Sequence, residues 1–237
     1  QSVFIGEGAG NSQNNSSDRY NVFIGYNSGI SNVTGDRNVG IGYHALYSST
    51  AGRYNVAIGF QTLFSNTQNG NSAVGYRALR NNTTGYDNTG IGKQTLANNN
   101  IGYLNTAVGS DALLSNTTGN ENVAIGSLSL VSNSLGSSNT AIGAYSLYNS
   151  NTSHNTAIGY FTLYATTGGS YNTTIGSLSL ANNTTGFNNT AIGALSLGGN
   201  LVGKNNTAVG MYSLANSLGD QNTALGYDAG SIFTSGN

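Results

Sequence analysis

The chain has 237 residues, of which 7 are basic and 8 acidic, with a formal net charge of −1 and neither proline nor cysteine. Nucleic-acid binding needs clustered Lys and Arg, and the seven basic residues are scattered. The lack of cysteine excludes disulfides and thiolate metal sites. No apolar run approaches the ~20 residues of a membrane span. We therefore expect no nucleic-acid partner and no membrane span in this segment.

The dominant feature is a five-residue string, Asn-Thr-Ala-Ile-Gly, that recurs fourteen times with small variations. The glycines that close the copies follow one another at intervals of 16 or 17 residues, after a first interval of 19. A period this short and strict is typical of the stacked coils of a solenoid. We predict an all-β fold, a parallel β-solenoid (β-roll) of about fourteen coils with ~17 residues each. The repeat predicts a single domain over residues 1–237, with an insertion loop at residues 7–20 in the first coil.

Positions within a coil are counted here from the closing glycine. Position −4 is Asn in thirteen copies, −3 is Val or Thr with one Ser, −2 is usually Ala, and −1 is always Ile, Val or Leu. This alternation predicts a short strand on which −3 and −1 share one face and −4 and −2 the other. We expect the −1 residue to be buried, and the exchange of Thr with Val at −3 indicates a buried position as well.

A second pattern follows each closing glycine. Position +3 is small in every copy, and +4 is Leu in eleven. The alternation in Ser127-Leu128-Ser129-Leu130 predicts a second strand, and polar segments such as Asn82-Thr83-Thr84-Gly85 predict a bend.

The two kinds of glycine differ in this interpretation. If the closing glycines have φ > 0, Gly126→Ala should lower the free energy of unfolding by on the order of 1 kcal/mol or more. Gly119→Ala, in the bend, should lower it by less.

Stacked coils place like residues about 4.8 Å apart, so that the amides of the −4 column can bond in a ladder. A ligand-binding array is the alternative interpretation of this column. The residues assigned to the structural ladder are Asn21, Asn38, Asn55, Asn88, Asn105, Asn122, Asn139, Asn172, Asn189 and Asn206.

Position +2 changes character along the chain. The early coils carry polar residues there, such as Gln61, Arg77 and Asp111, and the later coils carry apolar ones. The apolar stripe consists of Leu128, Tyr145, Phe161, Leu178, Leu195 and Tyr212. We interpret it as residues that thicken the core or form a trimer interface, and a partner-binding surface is the alternative.

Each coil has two large apolar side chains in most copies, at −1 and +4. The free energy gained by burying them is smaller than the conformational entropy cost of ordering about 17 residues. Packing against identical chains supplies the missing burial, and we therefore predict a homo-oligomer, with a homotrimer as the expected state.

The string Asn189-Thr190-Ala191-Ile192-Gly193, followed by Leu197, resembles the repeat shafts of bacterial and phage tail-fibre-like proteins. It is also similar to the heads of trimeric autotransporter adhesins, whose repeats are shorter. The resemblance covers nearly the whole chain. It implies a homotrimer of parallel β-rolls, located outside the cell, at the cell surface or on a virion or tail fibre.

The expected function is that of a structural fibre or adhesin shaft segment, a spacer with a role in attachment to a cell-surface glycan or host receptor. The alternative is a solenoid module that binds glycans or ice through repeated Asn, Thr or Tyr columns. We expect no enzyme, no cofactor, and no catalytic or metal site. His44 and His154 are far apart on a solenoid, and the carboxylates are scattered.

Overall fold

The structure is a computed structural model in which residues 1–13 and 19–231 are described. Residues 14–18, within the predicted insertion loop, lie outside this range. All regular structure in the described ranges is β-strand, and the predicted all-β parallel solenoid is confirmed. The chain forms two compact units, residues 1–120 and 121–237, and each is described by itself. The single repeat domain remains a prediction.

The first unit stacks seven three-residue strands in chain order. Neighbouring strands are parallel and pair like positions of successive coils, as in Val39 with Val56 and Ile41 with Ile58. The strands are β1 (Val3–Ile5), β2 (Val22–Ile24), β3 (Val39–Ile41), β4 (Val56–Ile58), β5 (Ser72–Val74), β6 (Thr89–Ile91) and β7 (Thr106–Val108).

The second unit repeats this arrangement with seven further parallel strands. Thr190 pairs with Thr207 and Ala191 with Ala208, so the coil positions stay in register here too. The strands are β8 (Val123–Ile125), β9 (Thr140–Ile142), β10 (Thr156–Ile158), β11 (Thr173–Ile175), β12 (Thr190–Ile192), β13 (Thr207–Val209) and β14 (Thr223–Leu225).

The interior of most coils holds one large apolar residue, the Leu at +4. Around it lie the Asn at −4, the residue at −2 and the small residue at +3, all buried as in Asn55, Ala57, Thr62 and Leu63. The predicted division of the strand into two faces is confirmed, but the expected burial of −1 and −3 is wrong.

The −1 side chains point outward, and Ile91 is 44% exposed. The coil is too narrow for a second large residue, because the +4 leucine already reaches the opposite wall. A Cβ atom placed on Gly90 would lie only 3.3 Å from Leu79 Cδ1.

The predicted second strand is also wrong, because the segment after the closing glycine is a run of turns. Positions +2 and +4 have left-handed backbones, with φ of 58° at Leu128 and 50° at Leu130. This run of turns after the closing glycine, named here the turn wall, still bonds from coil to coil: the Leu130 N–H donates to the Ser146 carbonyl at 3.0 Å. Alternate left-handed residues turn Leu130 inward and Leu128 outward, which reproduces the alternation of a strand.

The closing glycines have the predicted positive φ, +129° at Gly126. A Cβ atom on Gly126 would lie 2.6 Å from the Gly143 carbonyl carbon in the next coil. The prediction that the bend glycine Gly119 tolerates a Cβ atom better than a closing glycine conflicts with the geometry at equivalent bend positions in other coils. A Cβ on Gly102 would meet the Gly119 carbonyl oxygen at 2.5 Å and Asn116 Nδ2 at 2.7 Å. Every 17-residue coil has glycine at this bend position, whereas Gln68 and Thr152 occur in 16-residue coils.

The second coil exchanges its large and small core residues. Phe23 takes position −2 and is fully buried, and Gly29 replaces the usual Leu at +4. A Cβ atom on Gly29 would lie 2.5 Å from the Phe23 ring, so the ring fills the volume that Leu occupies elsewhere. Phe4 and Gly10 make the same exchange in the first coil, and the two Phe rings stack with centroids 5.6 Å apart.

The bend glycines provide a matched test in two adjacent residues. A Cβ atom on Gly169 would overlap the Gly186 carbonyl oxygen and lie 2.9 Å from Asn183 Nδ2. A Cβ on exposed Gly168 would meet only the Thr185 methyl group, at 3.3 Å. Gly169→Ala should lower the free energy of unfolding by about 2 kcal/mol, and Gly168→Ala should change it by less than about 0.5 kcal/mol. Urea denaturation of both variants measures this, and equal losses would show that the bend is not tightly packed.

Candidate functional site

The −4 asparagines face inward and bond each coil to the next. The Asn189 carbonyl oxygen accepts the backbone N–H of Asn206 at 3.0 Å, and its Nδ2 donates to the Gly203 carbonyl at 2.9 Å. Asn206 begins the following coil, and Gly203 lies in the bend that leads into it. The position therefore needs a short side chain with one donor and one acceptor, which Asn supplies.

The ten predicted ladder residues all lie in this buried column, as do Asn71 and Asn155. In the first unit the backbone N–H groups bond the preceding amide oxygens at 2.8–3.0 Å. In the second unit the same bonds measure 2.9–3.0 Å. These bonds join side chain to backbone, and the predicted amide-to-amide ladder lies beside them: Nδ2 donates to the preceding amide oxygen at 3.1–3.2 Å in the first unit and 3.0–3.2 Å in the second. The column is turned inward, away from any external ligand.

A second polar column at +7 escaped the sequence analysis. The Asn99 amide donates to the Asn82 carbonyl oxygen at 2.6 Å and Asn82 donates to Asn66 at 2.8 Å, so these side chains bond directly to one another. Each also closes its own bend, as in Asn82 Nδ2 to the Gly85 carbonyl at 2.7 Å. The column was hidden because Ser49, Ser150, Thr166 and Ser217 interrupt it.

The outward side chains of the strands form a regular surface, named here the sheet face, from positions −3 and −1. In a sheet these positions lie about 6.6 Å apart along a strand, and neighbouring strands lie about 4.8 Å apart. The sheet face of the second unit is uncharged. It consists of Val123, Thr140, Thr156, Thr173, Thr190, Thr207 and Thr223 beside Ile125, Ile142, Ile158, Ile175, Ile192, Val209 and Leu225.

An aromatic column borders the sheet face in the first unit, at position +1. Tyr26, Tyr43, Phe60 and Tyr76 stack in that order with ring centroids 5.1–5.5 Å apart. All four are exposed, between 39% and 44%. Because the ring faces lie against one another, the surface presents mainly ring edges, whereas stacking on a sugar needs an open ring face.

The apolar stripe at +2 lies on the outer side of the turn wall in the second unit. None of its six residues is buried, and Leu178 and Tyr212 are 36% and 38% exposed. The interpretation that these residues thicken the core is wrong, because the adjacent +4 leucines fill it. Their polar counterparts Gln61, Arg77 and Asp111 are half-buried in the first unit. The trimer-interface interpretation of the stripe stays a prediction.

The His44 ring lies among aromatic side chains. Burial lowers the pKa of His44 below its usual 6.5. Its ring stacks on Tyr43, with centroids 3.9 Å apart, and its Nε2 lies 3.4 Å from Asn27 Nδ2. In residues 1–13 and 19–231 no three His, Cys, Asp or Glu side chains come together in a way that could hold a metal ion. The same residues contain no helix that is long and apolar enough to span a membrane.

Comparison with protein-family models finds no matching family, and comparisons with curated proteins and with solved structures find no similar chain.

The inner asparagine column can be tested with two neighbouring residues. Asn189→Asp removes the donor to the Gly203 carbonyl and buries a carboxylate against that oxygen. We expect the free energy of unfolding at pH 7 to fall by about 3 kcal/mol. Asn188→Asp places the same charge on an exposed residue whose amide donates only to Asn205, and should change stability by less than about 0.5 kcal/mol. Thermal unfolding followed by circular dichroism compares them, and similar melting temperatures would exclude a structural role for the column.

Proposed function

We propose that the chain is a shaft segment of an extracellular fibre or adhesin, a spacer whose copies associate as homotrimers through the sheet face. The observation that carries the proposal is the outward column of Ile, Val and Leu at position −1 on every strand. A spacer needs one surface repeated along an axis, and the in-register strand pairs supply it.

The sheet face is a costly surface to leave in water. Ile125, Ile175 and Ile192 are 37–39% exposed in the single chain. Burying a fully exposed aliphatic side chain of this size contributes roughly 1.5–3 kcal/mol, so covering the exposed part of these residues contributes about 0.6–1.2 kcal/mol each, and the repeat multiplies the gain by the number of coils. The absence of charge on the sheet face of the second unit allows close approach of an identical face, because no ion has to be desolvated.

The threefold state is supported by the resemblance of the repeat to trimeric shafts and adhesin heads. A location outside the cell, on a cell surface or on a virion or tail fibre follows from the same resemblance. The predicted attachment to a glycan or host receptor belongs to this proposal as well.

Association through the sheet face predicts a particle of three 24.2 kDa chains, about 73 kDa by light scattering at micromolar concentration. The double variant Ile175→Lys/Ile192→Lys should dissociate it, because buried unpaired charges cost several kcal/mol. The control Tyr171→Lys/Asn188→Lys puts the same charges on exposed bend residues of the same two coils and should remain trimeric. A monomeric wild-type chain, or a double variant that stays trimeric, would contradict the proposal.

A second candidate function, ice binding, is supported by the outward direction of the −3 column. The expectation that Thr is buried there counted against ice binding, and Thr173 and Thr223 are in fact exposed. Six successive coils of the second unit align Thr with Thr in register.

This function requires the sheet face to be free. It predicts thermal hysteresis in a monomeric chain and its loss in Thr173→Lys/Thr190→Lys, with Tyr171→Lys/Asn188→Lys as control. A trimeric chain without thermal hysteresis would exclude it.

A further inference from the structure

The turn wall of the second unit carries a groove of about 390 Å³ across three successive coils. Leu178, Leu195 and Tyr212 line it from position +2, and Asn182 and Asn216 line it from position +6. Between these columns lies position +5, which is Ala181 in the first of the three coils. The groove lies on the outer surface, apart from the sheet face.

The groove exists because aromatic rings are missing from position +5. In two preceding coils of this unit that position holds Tyr148 and Tyr164, whose rings stack with centroids 5.1 Å apart. Tyr164 also lies against Phe161 of its own coil, at 4.7 Å. The next coils carry Ala181 and Gly198 at +5. The groove therefore lies where two preceding coils hold a ring.

Two amides stand at the polar side of the groove. Asn182 Nδ2 donates to the Gly198 carbonyl at 2.7 Å, and Asn216 Nδ2 donates to the Ser231 carbonyl at 3.0 Å. These bonds use one N–H of each amide and fix its direction. Each exposed amide keeps a second N–H and a carbonyl oxygen, a donor and an acceptor for a ligand.

The surroundings favour a neutral ligand. None of the residues lining the groove is charged, and residues 122–203 contain no Asp, Glu, Lys or Arg. The +2 column reaches a charge only one coil beyond the groove, at Asp228, so a charged ligand meets no opposite charge on the lining itself. The volume lies within the range of small-molecule sites, near its lower end.

We propose that this groove binds a neutral saccharide of one or two pyranose rings. The apolar face of the ring packs against Leu178, Leu195 and the Tyr212 ring. Its hydroxyl groups, which both donate and accept, bond to the amides of Asn182 and Asn216. The site deepens the proposed attachment to a glycan and is independent of the trimer, because it uses neither the sheet face nor a second chain.

The test measures binding of the full chain to a panel of neutral sugars: glucose, galactose, mannose, N-acetylglucosamine and their disaccharides. Glucuronic acid and a Tyr-containing dipeptide serve as charged and aromatic competitors. Saturation-transfer NMR detects millimolar binding and identifies the bound ring. We expect at least one neutral sugar to bind, with transfer strongest at its ring C–H protons.

Ala181→Tyr fills the groove with the residue that two neighbouring coils carry at the same position, so the coil accommodates it. We expect the affinity to fall about tenfold or more. The matched control, Ala144→Tyr, places the same side chain at position +1, where Tyr160 stands in the next coil, and should bind as the wild type does. Asn182→Ala and Asn216→Ala should each weaken binding about fivefold, as loss of one hydrogen bond requires.

The proposal is overturned if no neutral sugar binds at millimolar concentration. It is equally overturned if Ala181→Tyr binds as the wild type does while circular dichroism shows it folded, or if only glucuronic acid or the dipeptide binds. Light scattering of the same samples reports chain association separately, so failure of the saccharide site is distinguishable from failure of the trimer.

Discussion

The hydrogen bonds that the inner asparagines make to the backbone of the next coil are the interaction on which each unit depends. Asn88 shows the pattern: its oxygen accepts the backbone N–H of Asn105 at 3.0 Å, and its Nδ2 donates to the Gly102 carbonyl at 2.8 Å. Both bonds are buried, where an unpaired amide would cost about 1–3 kcal/mol. Neighbouring coils must therefore keep register, and −4 must face inward. Alternation along the strand then turns −2 inward and −1 outward.

This orientation explains both the composition and the surface. The interior has room for a single leucine per coil, and the bend beside the asparagine must be glycine where a Cβ would strike the next coil, as at Gly102. Branched apolar residues collect on the outside, where a globular domain would not place so many. In the trimer that we propose, a partner face of the same composition would remove them from water. The slight core therefore supports the proposed fibre of several copies, in which the turn wall would stay available to the proposed saccharide.

The period, the strand and its two faces could be predicted from sequence, because they follow from spacing alone. Which face is inside could not, since −1 is the more apolar residue and the hydrogen bonds of Asn21 or Asn38 are invisible in composition. The prediction of a second strand was wrong for a related reason. Alternate left-handed residues such as Leu128 and Leu130 give the same inward and outward alternation as a strand. The swap of the large and small core residues could have been read from the sequence, because Phe23 at −2 and Gly29 at +4 occur in the same coil. The groove at Leu178 depends on residues absent from +5, a pattern that appears only once the columns are placed in space.

Hydrogen exchange of the asparagine side-chain amides tests the central claim most directly. With asparagine labelled in ¹⁵N, NMR follows the Nδ2 protons of buried Asn88 and Asn189 beside those of exposed Asn98 and Asn188. The account predicts that the buried amides exchange as slowly as the core backbone N–H groups of the strands, because both open only when coils separate. Exposed amides should exchange at the rate of a free asparagine. Equal, fast exchange in both sets would show that the inner column does not hold the coils together.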